Sequence, residues 1–438
     1  MSLLASLLED ITVQGRKVED FLGNDSPSLY ETGAWKYDDE LLPREAWEAS
    51  QMLMADCQQL IALLMPRKLK LMYESISNNA AVALEVACDL KVADKIAENG
   101  GEITLAQLAK ACDTNEHKLG CTMRVLTHRH LFWEAAPDVF RNNRHSFELI
   151  SGNGARECCL LETQEAYQVG PSWLKTMRDP KRMNSIEAKD GAFADVFGRG
   201  VLEYIFTPEG ATCMTNMTVG VPWMSTITVA ATRSDLPWDS YGSTICDVGA
   251  GLGSVMLEVK KTFPSLNVIC QELEHMIPVM QNTFKGYEQE MANGEIKLEV
   301  HDYFTPQETV ADAYWFRGVI REYEDEVAAK VLANLKPALK KNPKARVFVN
   351  ELFIPRLVVA QDKVNAAASQ HTSRQQSGWP IVTQMQQLGG QQLFSGKERT
   401  FEEIKNIGEM AGLRFVKYHR FRMFTGAAEF ELPSTPKL

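Results

Sequence analysis

Asp247-Val248-Gly249-Ala250-Gly251-Leu252-Gly253 lies between an apolar run, Thr244 to Val248, and a helical stripe, Ser254 to Thr262, and this junction decides the fold. Its glycines let the chain turn sharply and bring backbone close to a ligand with no Cβ atoms intervening. Working outward, Val268 to Gln271 is a second apolar run, and it ends on Glu272. Ile296 to Val300, Ala313 to Phe316, Arg346 to Asn350 and Phe415 to Arg420 continue the alternation of strand and helix patterns. That alternation predicts an α/β fold, a parallel sheet covered by helices on both faces, beginning near Leu236 and filling residues 236–438 as a Rossmann-like domain.

Upstream the pattern is helical. Leu3, Leu4, Leu7, Leu8 and Ile11 recur at helical spacing, so the first helix has an apolar face that a partner subunit would cover. Asn24 to Pro43 reads as a linker, and a long helix is predicted from Arg44 to Leu64, stopped by Pro66. Thr104 and Gln107 have capping-box spacing. Leu131-Phe132-Trp133 and Val139-Phe140, separated by a turn at Pro137-Asp138, complete a winged-helix pattern within residues 1–150. A winged helix either docks on DNA or serves as a protein scaffold. Arg124, Arg129, Arg141 and Arg144 are interleaved with Glu116 and Glu134, which favours scaffold. Residues 151–235 read as a helical connecting or lid region with an irregular Met-rich stretch from Met214 to Met224.

The 438 residues are about three times a common domain of ~150, in keeping with several domains. At 45% hydrophobic and 24% charged, the composition is that of a globular protein with ample core. A formal charge of −11 repels phosphate backbones, so no nucleic-acid partner is expected. The nine cysteines contain no C-x-x-C, and the adjacent Cys158-Cys159 is poor geometry for a bridge, so reduced thiols, a cytoplasmic location and no metal site are expected. Glu9 and Asp10 interrupt the first apolar residues, and no run approaches the ~20 apolar residues of a membrane helix, so neither a signal peptide nor a membrane partner is expected.

The glycine loop narrows the cofactor. Asp247, directly before the first glycine, would repel a pyrophosphate and favour a cation, which points to S-adenosylmethionine rather than a dinucleotide. A tight turn with no ligand is the plain alternative. On the cofactor reading Gly249, Gly251 and Gly253 supply close backbone and Glu272 binds a ribose diol. Asp302, Tyr303 and Phe304 border the adenine, with Arg317 adjoining.

In these motifs and their order the chain resembles the S-adenosylmethionine-dependent O-methyltransferases of the plant caffeate and fungal type. Besides the glycine loop and the helical N-terminal region, the resemblance rests on three runs. They are Tyr314-Trp315-Phe316-Arg317 leading into Val319-Ile320-Arg321-Glu322-Tyr323, then Asn350-Glu351-Leu352-Phe353-Ile354-Pro355, and Gly396-Lys397-Glu398-Arg399-Thr400. It implies a class I methyltransferase domain preceded by a mainly α winged-helix dimerisation domain. It also implies a homodimer of intertwined N-terminal helices and a cavity between the helical and Rossmann-like parts. The family's proton-accepting histidine falls on Arg321, and its two orienting acids fall on Glu351 and Glu398, both present.

Arginine keeps its proton at any working pH, its pKa exceeding about 12, so Arg321 cannot serve as the general base. It can donate several hydrogen bonds and hold fixed positive charge against an oxygen. That departure is similar to the fungal methyltransferase-like pericyclases of 2-pyridone alkaloid biosynthesis, the leporin type. Resemblance to them implies a helical-domain histidine, for which His145 is the candidate, assisting proton transfer during water loss while Arg321 binds the pyridone oxygen. Glu322 would buffer Arg321 or touch substrate, and Met214, Met217, Trp223 and Met224 either line the pocket or are plain core. Competing readings are an O-methyltransferase using another base, a chain in which Arg321 is only an ion-pair partner of Glu351 or Glu398, and a non-catalytic DNA-binding regulator, which lacks the required basic face.

Overall fold

The computed structural model describes residues 2–33, 35–354 and 380–433, so Pro355, the last residue of one motif above, lies outside the described residues. The described chain forms two compact units. One runs to Ile227 and includes Gln392–Phe394, and the other holds the remaining residues from Thr228 onward.

In the first unit the helix Leu3–Leu22 packs against Arg44–Leu64, both built on apolar stripes at helical spacing. Ser2 caps the first by accepting from the Ala5 amide at 3.2 Å. The linker carries a 3₁₀ turn, Gly23–Asp25, and a short helix, Lys36–Asp39. The wing has three strands rather than two: β1 (Ile103–Thr104), β2 (Trp133–Ala136) and β3 (Val139–Arg141), antiparallel in the order β1-β3-β2. Thr104 and Gln107 form the expected capping box. Ile96, Leu108, Met123, Leu126 and Phe140 fill the core beneath. Three of the four wing arginines pair with acids: Arg124 with Asp138, Arg141 with Glu102, Arg144 with Asp38.

The Met-rich stretch is not irregular. Met214 to Met224 lies inside one helix, Ala211–Asp235, despite Pro222. An interior proline costs about 3 kcal/mol through its missing N–H and its clash with the preceding turn. Cys213, Met217 and Val221, one turn apart, offset that cost by seating against a core that includes Leu161, Val169, Phe193 and Val201.

The second unit is a seven-stranded sheet ordered β6-β5-β4-β7-β8-β10-β9. Its strands are β4 (Thr244–Val248), β5 (Asn267–Glu272), β6 (Ile296–Val300), β7 (Ala313–Arg317), β8 (Arg346–Leu352), β9 (Arg414–Arg420) and β10 (Thr425–Glu431). The first five in spatial order are parallel, while β10 runs antiparallel between β8 and β9, so the sheet is mixed rather than wholly parallel. β4 lies between β5 and β7, where the strand order reverses, and crevices at the carboxyl ends of such strands are where α/β sheets bind ligands. No helix among the described residues is long and apolar enough to cross a membrane.

Candidate functional site

The site is built in the second unit from the carboxyl ends of β4, β5, β7 and β8. The loop after β4 is tied to β5, because the amides of Gly249 and Ala250 both donate to the Gln271 carbonyl at 3.0 Å. Gly249 has φ 76°, and a Cβ there would lie 2.8 Å from Val319 Cγ2 and 3.4 Å from Tyr303 Cε1. Gly253, φ 75°, leaves no room because a Cβ would meet Phe284 at 2.7 Å. Gly251 also has positive φ, and a Cβ there would meet nothing within 4 Å, so the middle of the loop forms an open cradle.

Glu272, at the tip of β5, borders that cradle, its carboxylate accepting from the Gly251 amide at 3.3 Å and the Leu273 amide at 2.6 Å. Tyr303 and Phe304 form an aromatic shelf with Tyr323, ring centroids 5.2 to 6.2 Å apart, and the Tyr303 and Tyr323 hydroxyls are 2.7 Å apart. Asp302 is exposed, and its Oδ1 accepts from the Phe304 amide at 2.9 Å, which orders the loop carrying the shelf.

Asp247 is buried at 3% exposure, and burial pushes its carboxyl up to about 7 although the Arg317 guanidinium opposes the rise. Arg317 donates to Thr228 Oγ1 at 2.8 Å; burial holds its guanidinium below the ordinary value, and the charges of Asp247 and Glu351 oppose that shift. The residues fit S-adenosylmethionine: a cradle with space for an approaching group, an acid for a diol, an aromatic shelf and a buried acid suited to a cation. Among the described residues no cluster of three or more His, Cys, Asp or Glu is placed to hold a metal ion.

Arg321 rides on a 3₁₀ turn, Ile320–Glu322, that the chain clamps from two sides. The Ile320 amide donates to Glu351 Oε1 at 3.0 Å. Arg399, 1% exposed, donates to the Ile320 carbonyl at 2.9 Å, to the Tyr323 carbonyl and to Asp325 Oδ1 at 2.8 Å. The Arg321 carbonyl accepts from the Lys397 amide at 2.7 Å. The guanidinium itself stands 2.5 Å from Glu398 Oε1 through Nη1 and 3.4 Å from Glu322 Oε1 through Nε. A Cβ on Gly390, in the helix Pro380–Phe394, would come within 3.0 Å of Nη2, so glycine there makes room for the arginine.

The ion pair is close but poorly aligned. Arg321 Nε, both Glu398 oxygens and Glu351 Oε2 are buried with no hydrogen-bond partner among the described residues. Burial pushes Glu351 up to about 8, reinforced by Glu398 and resisted by Arg321. Burial likewise raises Glu398 and Glu322, and Arg321 opposes both shifts.

The structure thus brings together Arg321, Glu322, Glu351 and Glu398, and separately the glycine loop, Asp247, Glu272, Tyr303, Phe304 and Arg317. The other candidates belong to the first unit. His145 is surface-accessible at the start of the short helix Arg144–Phe147, and desolvation, then the Arg144 charge, hold its imidazole below the ordinary value. Met214 and Met217 pack against the core that includes Phe193 and Val201. Trp223 crowds Gly154, whose missing Cβ would lie 3.0 Å from the Trp223 Cβ, and Met224 is half-buried. Sequence reasoning missed Arg399 as the clamp of the Arg321 turn. Its signal was a fixed charge inside a quoted motif, but its partners come from a distant segment.

Comparison with known proteins is consistent with this geometry. Residues 182–414 match a family profile described as the O-methyltransferase domain, and residues 77–151 match the O-methyltransferase dimerisation domain. A protein named 3-O-methyltransferase 2, from Phanerochaete chrysosporium, is 26% identical over 377 residues, covering 84% of this chain and 83% of its own length. Among solved structures, LepI in complex with SAM has a TM-score of 0.68 at 15% identity, covering 97% of this chain and 100% of that one. CalO1, a methyltransferase in calicheamicin biosynthesis in its SAH-bound form, has a TM-score of 0.66 at 20% identity, covering 84% and 100%. At these identities the two structures share the fold.

Proposed function

This chain belongs to the S-adenosylmethionine-dependent O-methyltransferase family, and from that premise we propose that it is a pericyclase of fungal secondary metabolism rather than a methyl-transferring enzyme. The proposed reaction dehydrates a 2-pyridone alcohol to a quinone methide and directs its hetero-Diels-Alder or Alder-ene closure. In the dehydration the carbinol C–O bond breaks with its electron pair on oxygen. That oxygen takes up a proton and leaves as water, and the pyridone ring gives one up.

The reading is supported by Arg321, a permanent cation 2.5 Å from Glu398, which falls where the family resemblance implies a proton-accepting histidine. Arg321 holds the pyridone oxygen and stabilises negative charge that grows there during dehydration and closure. Fixed, preoriented charge of this kind is worth about 3 kcal/mol or more in a site shielded from water. Glu398 and the Arg399 clamp fix the guanidinium, and Glu322 tempers its charge. His145, whose imidazole desolvation and the Arg144 charge hold below the ordinary value, is the proposed proton acceptor. Asp247, the glycine loop, Glu272 and Tyr303 hold S-adenosylmethionine, which when bound supplies a sulfonium charge.

A second reading is O-methyl transfer with another base. It is favoured by the unpartnered Glu351 Oε2, on a carboxyl poised at about 8, and by relatives named O-methyltransferases. Mass spectrometry of the purified protein with S-adenosylmethionine and a 2-pyridone alcohol separates the two. The pericyclase reading expects a product lighter by one water with the cofactor unconsumed. A product heavier by one methylene unit, with S-adenosylhomocysteine accumulating in step, would overturn it.

A further inference from the structure

The turn that carries Arg321 is weakly bonded within itself. Its own hydrogen bonds, from the Glu322 amide to the Val319 carbonyl and from the Tyr323 amide to the Ile320 carbonyl, are both 3.3 Å long. An ordinary backbone bond is about 2.9 Å, so the turn leans on outside anchors, Glu351 at the Ile320 amide and Arg399 and Lys397 at its carbonyls.

At its two ends the neighbours are those of the cofactor cradle. Before the turn, Val319 lies against the glycine loop, where a Cβ on Gly249 would come within 2.8 Å of Val319 Cγ2. After it, the Tyr323 hydroxyl shares a 2.7 Å hydrogen bond with the Tyr303 hydroxyl. Tyr303 closes the circuit, since its Cε1 would meet that same Cβ at 3.4 Å, and Asn334 Nδ2 steadies it by donating to its carbonyl at 3.0 Å. The Tyr323 ring stands edge-on to both Tyr303 and Phe304, with centroids 6.2 and 5.2 Å away, while Arg399 grips the Tyr323 carbonyl. Tyr323 thus joins the aromatic shelf through its ring and hydroxyl, and the Arg321 turn through its backbone. Burial, then the bond to Tyr323, hold the Tyr303 phenol above its ordinary value, so its proton stays with the pair at working pH.

We propose that the Tyr303–Tyr323 hydroxyl pair ties the cofactor site to the Arg321 turn, so that a cofactor laid against the shelf steadies the backbone on which Arg321 rides. Tyr323 is then a positioning residue, acting through Tyr303 on one side and the turn on the other. The inference rests on the assignment of the cofactor's adenine to the shelf and not on which reaction follows. A ligand steadies a segment only by binding its ordered arrangement more tightly than its open one, and the hydroxyl pair is the contact that carries this preference to the turn.

Hydrogen-exchange mass spectrometry of the full chain, with and without saturating S-adenosylhomocysteine, reads the amides of residues 319–323. In the wild type the ligand should slow their exchange. Tyr323→Phe keeps the ring and loses the hydroxyl, so it should still bind the ligand but reduce that slowing by about 2- to 10-fold, the worth of one neutral hydrogen bond. Tyr303→Phe should do the same, and the double variant should be no worse than either single, because the two hydroxyls make one bond. Slowing that is absent in the wild type, undiminished in the single variants, or lost additively in the double would each overturn the proposal. Tyr303→Ala separates the tie from the shelf. Unchanged ligand affinity in that variant would sink both together, whereas weakened affinity beside undiminished slowing in Tyr323→Phe would sink the tie and leave the shelf standing.

Discussion

Arg321 carries a charge that no working pH removes, on a turn that the protein anchors at three backbone points. Gly390 also leaves its Nη2 room, since a Cβ there would lie 3.0 Å from it. Replacing Arg321 by alanine should lower turnover of the 2-pyridone alcohol about 10² to 10³-fold, the range seen when one preoriented charge donor is removed from a transition state. Arg321→Lys should retain part of the rate, since it keeps the charge and loses the fork. Steady-state kinetics check both, and unchanged rates would reduce Arg321 to an ion-pair partner. At this scale the candidates Arg321, Glu351 and Glu398 were picked out by the contiguous runs they sit in, and the structure places them together. The Arg399 clamp was not legible, because its acceptors lie some seventy residues upstream and only folding brings them to it.

Among the elements, the glycine loop and its flanking strands and helix were legible because several local signals agree there: apolar run, positive-φ glycines, helical stripe. β10 was not. Thr425-Gly-Ala-Ala-Glu-Phe-Glu431 has a single β-branched residue, Thr425, and it forms a strand because it is walled by β8 and β9, with Ala427, Ala428 and Phe430 buried. The Met-rich helix escaped for the opposite reason, since Gly220 and Pro222 read as breakers while packing keeps the helix whole. Gly220 is there for a crossing: a Cβ on it would lie 2.4 Å from the Cys158 amide nitrogen, inside the helix Ala155–Thr163. Neither backbone can give way cheaply, so Gly220→Ala should destabilise the first unit by about 1–3 kcal/mol, although alanine is the better helix former. Denaturant unfolding measures this, and a neutral or stabilising result would mean that the two helices can move apart.

For the whole molecule, the exposed apolar side chains concentrate on the N-terminal helices. Leu8, Ile61, Leu64, Leu71 and Met72 are 50 to 73% exposed in the single chain. A patch of that kind marks an association surface; it lies on the helices just before residues 77–151, which match the O-methyltransferase dimerisation domain, and a second copy of the chain is the occupant we propose. Light scattering should find a dimer, and Leu64→Glu combined with Leu71→Glu should give monomers. A wild-type monomer would show that the patch has another occupant.

On the proposed function, cofactor and Arg321 act as fixed charges rather than as methyl donor and base, and this is open to direct measurement. It is tested most directly by running the 2-pyridone reaction with a cofactor analogue that has an amine-bearing carbon in place of the methylsulfonium. Such an analogue is cationic and has no methyl to give. It should support water loss and cyclisation at a rate comparable to S-adenosylmethionine, while neutral S-adenosylhomocysteine supports them poorly. Product formation with S-adenosylmethionine alone, one methyl consumed per turnover, would contradict it.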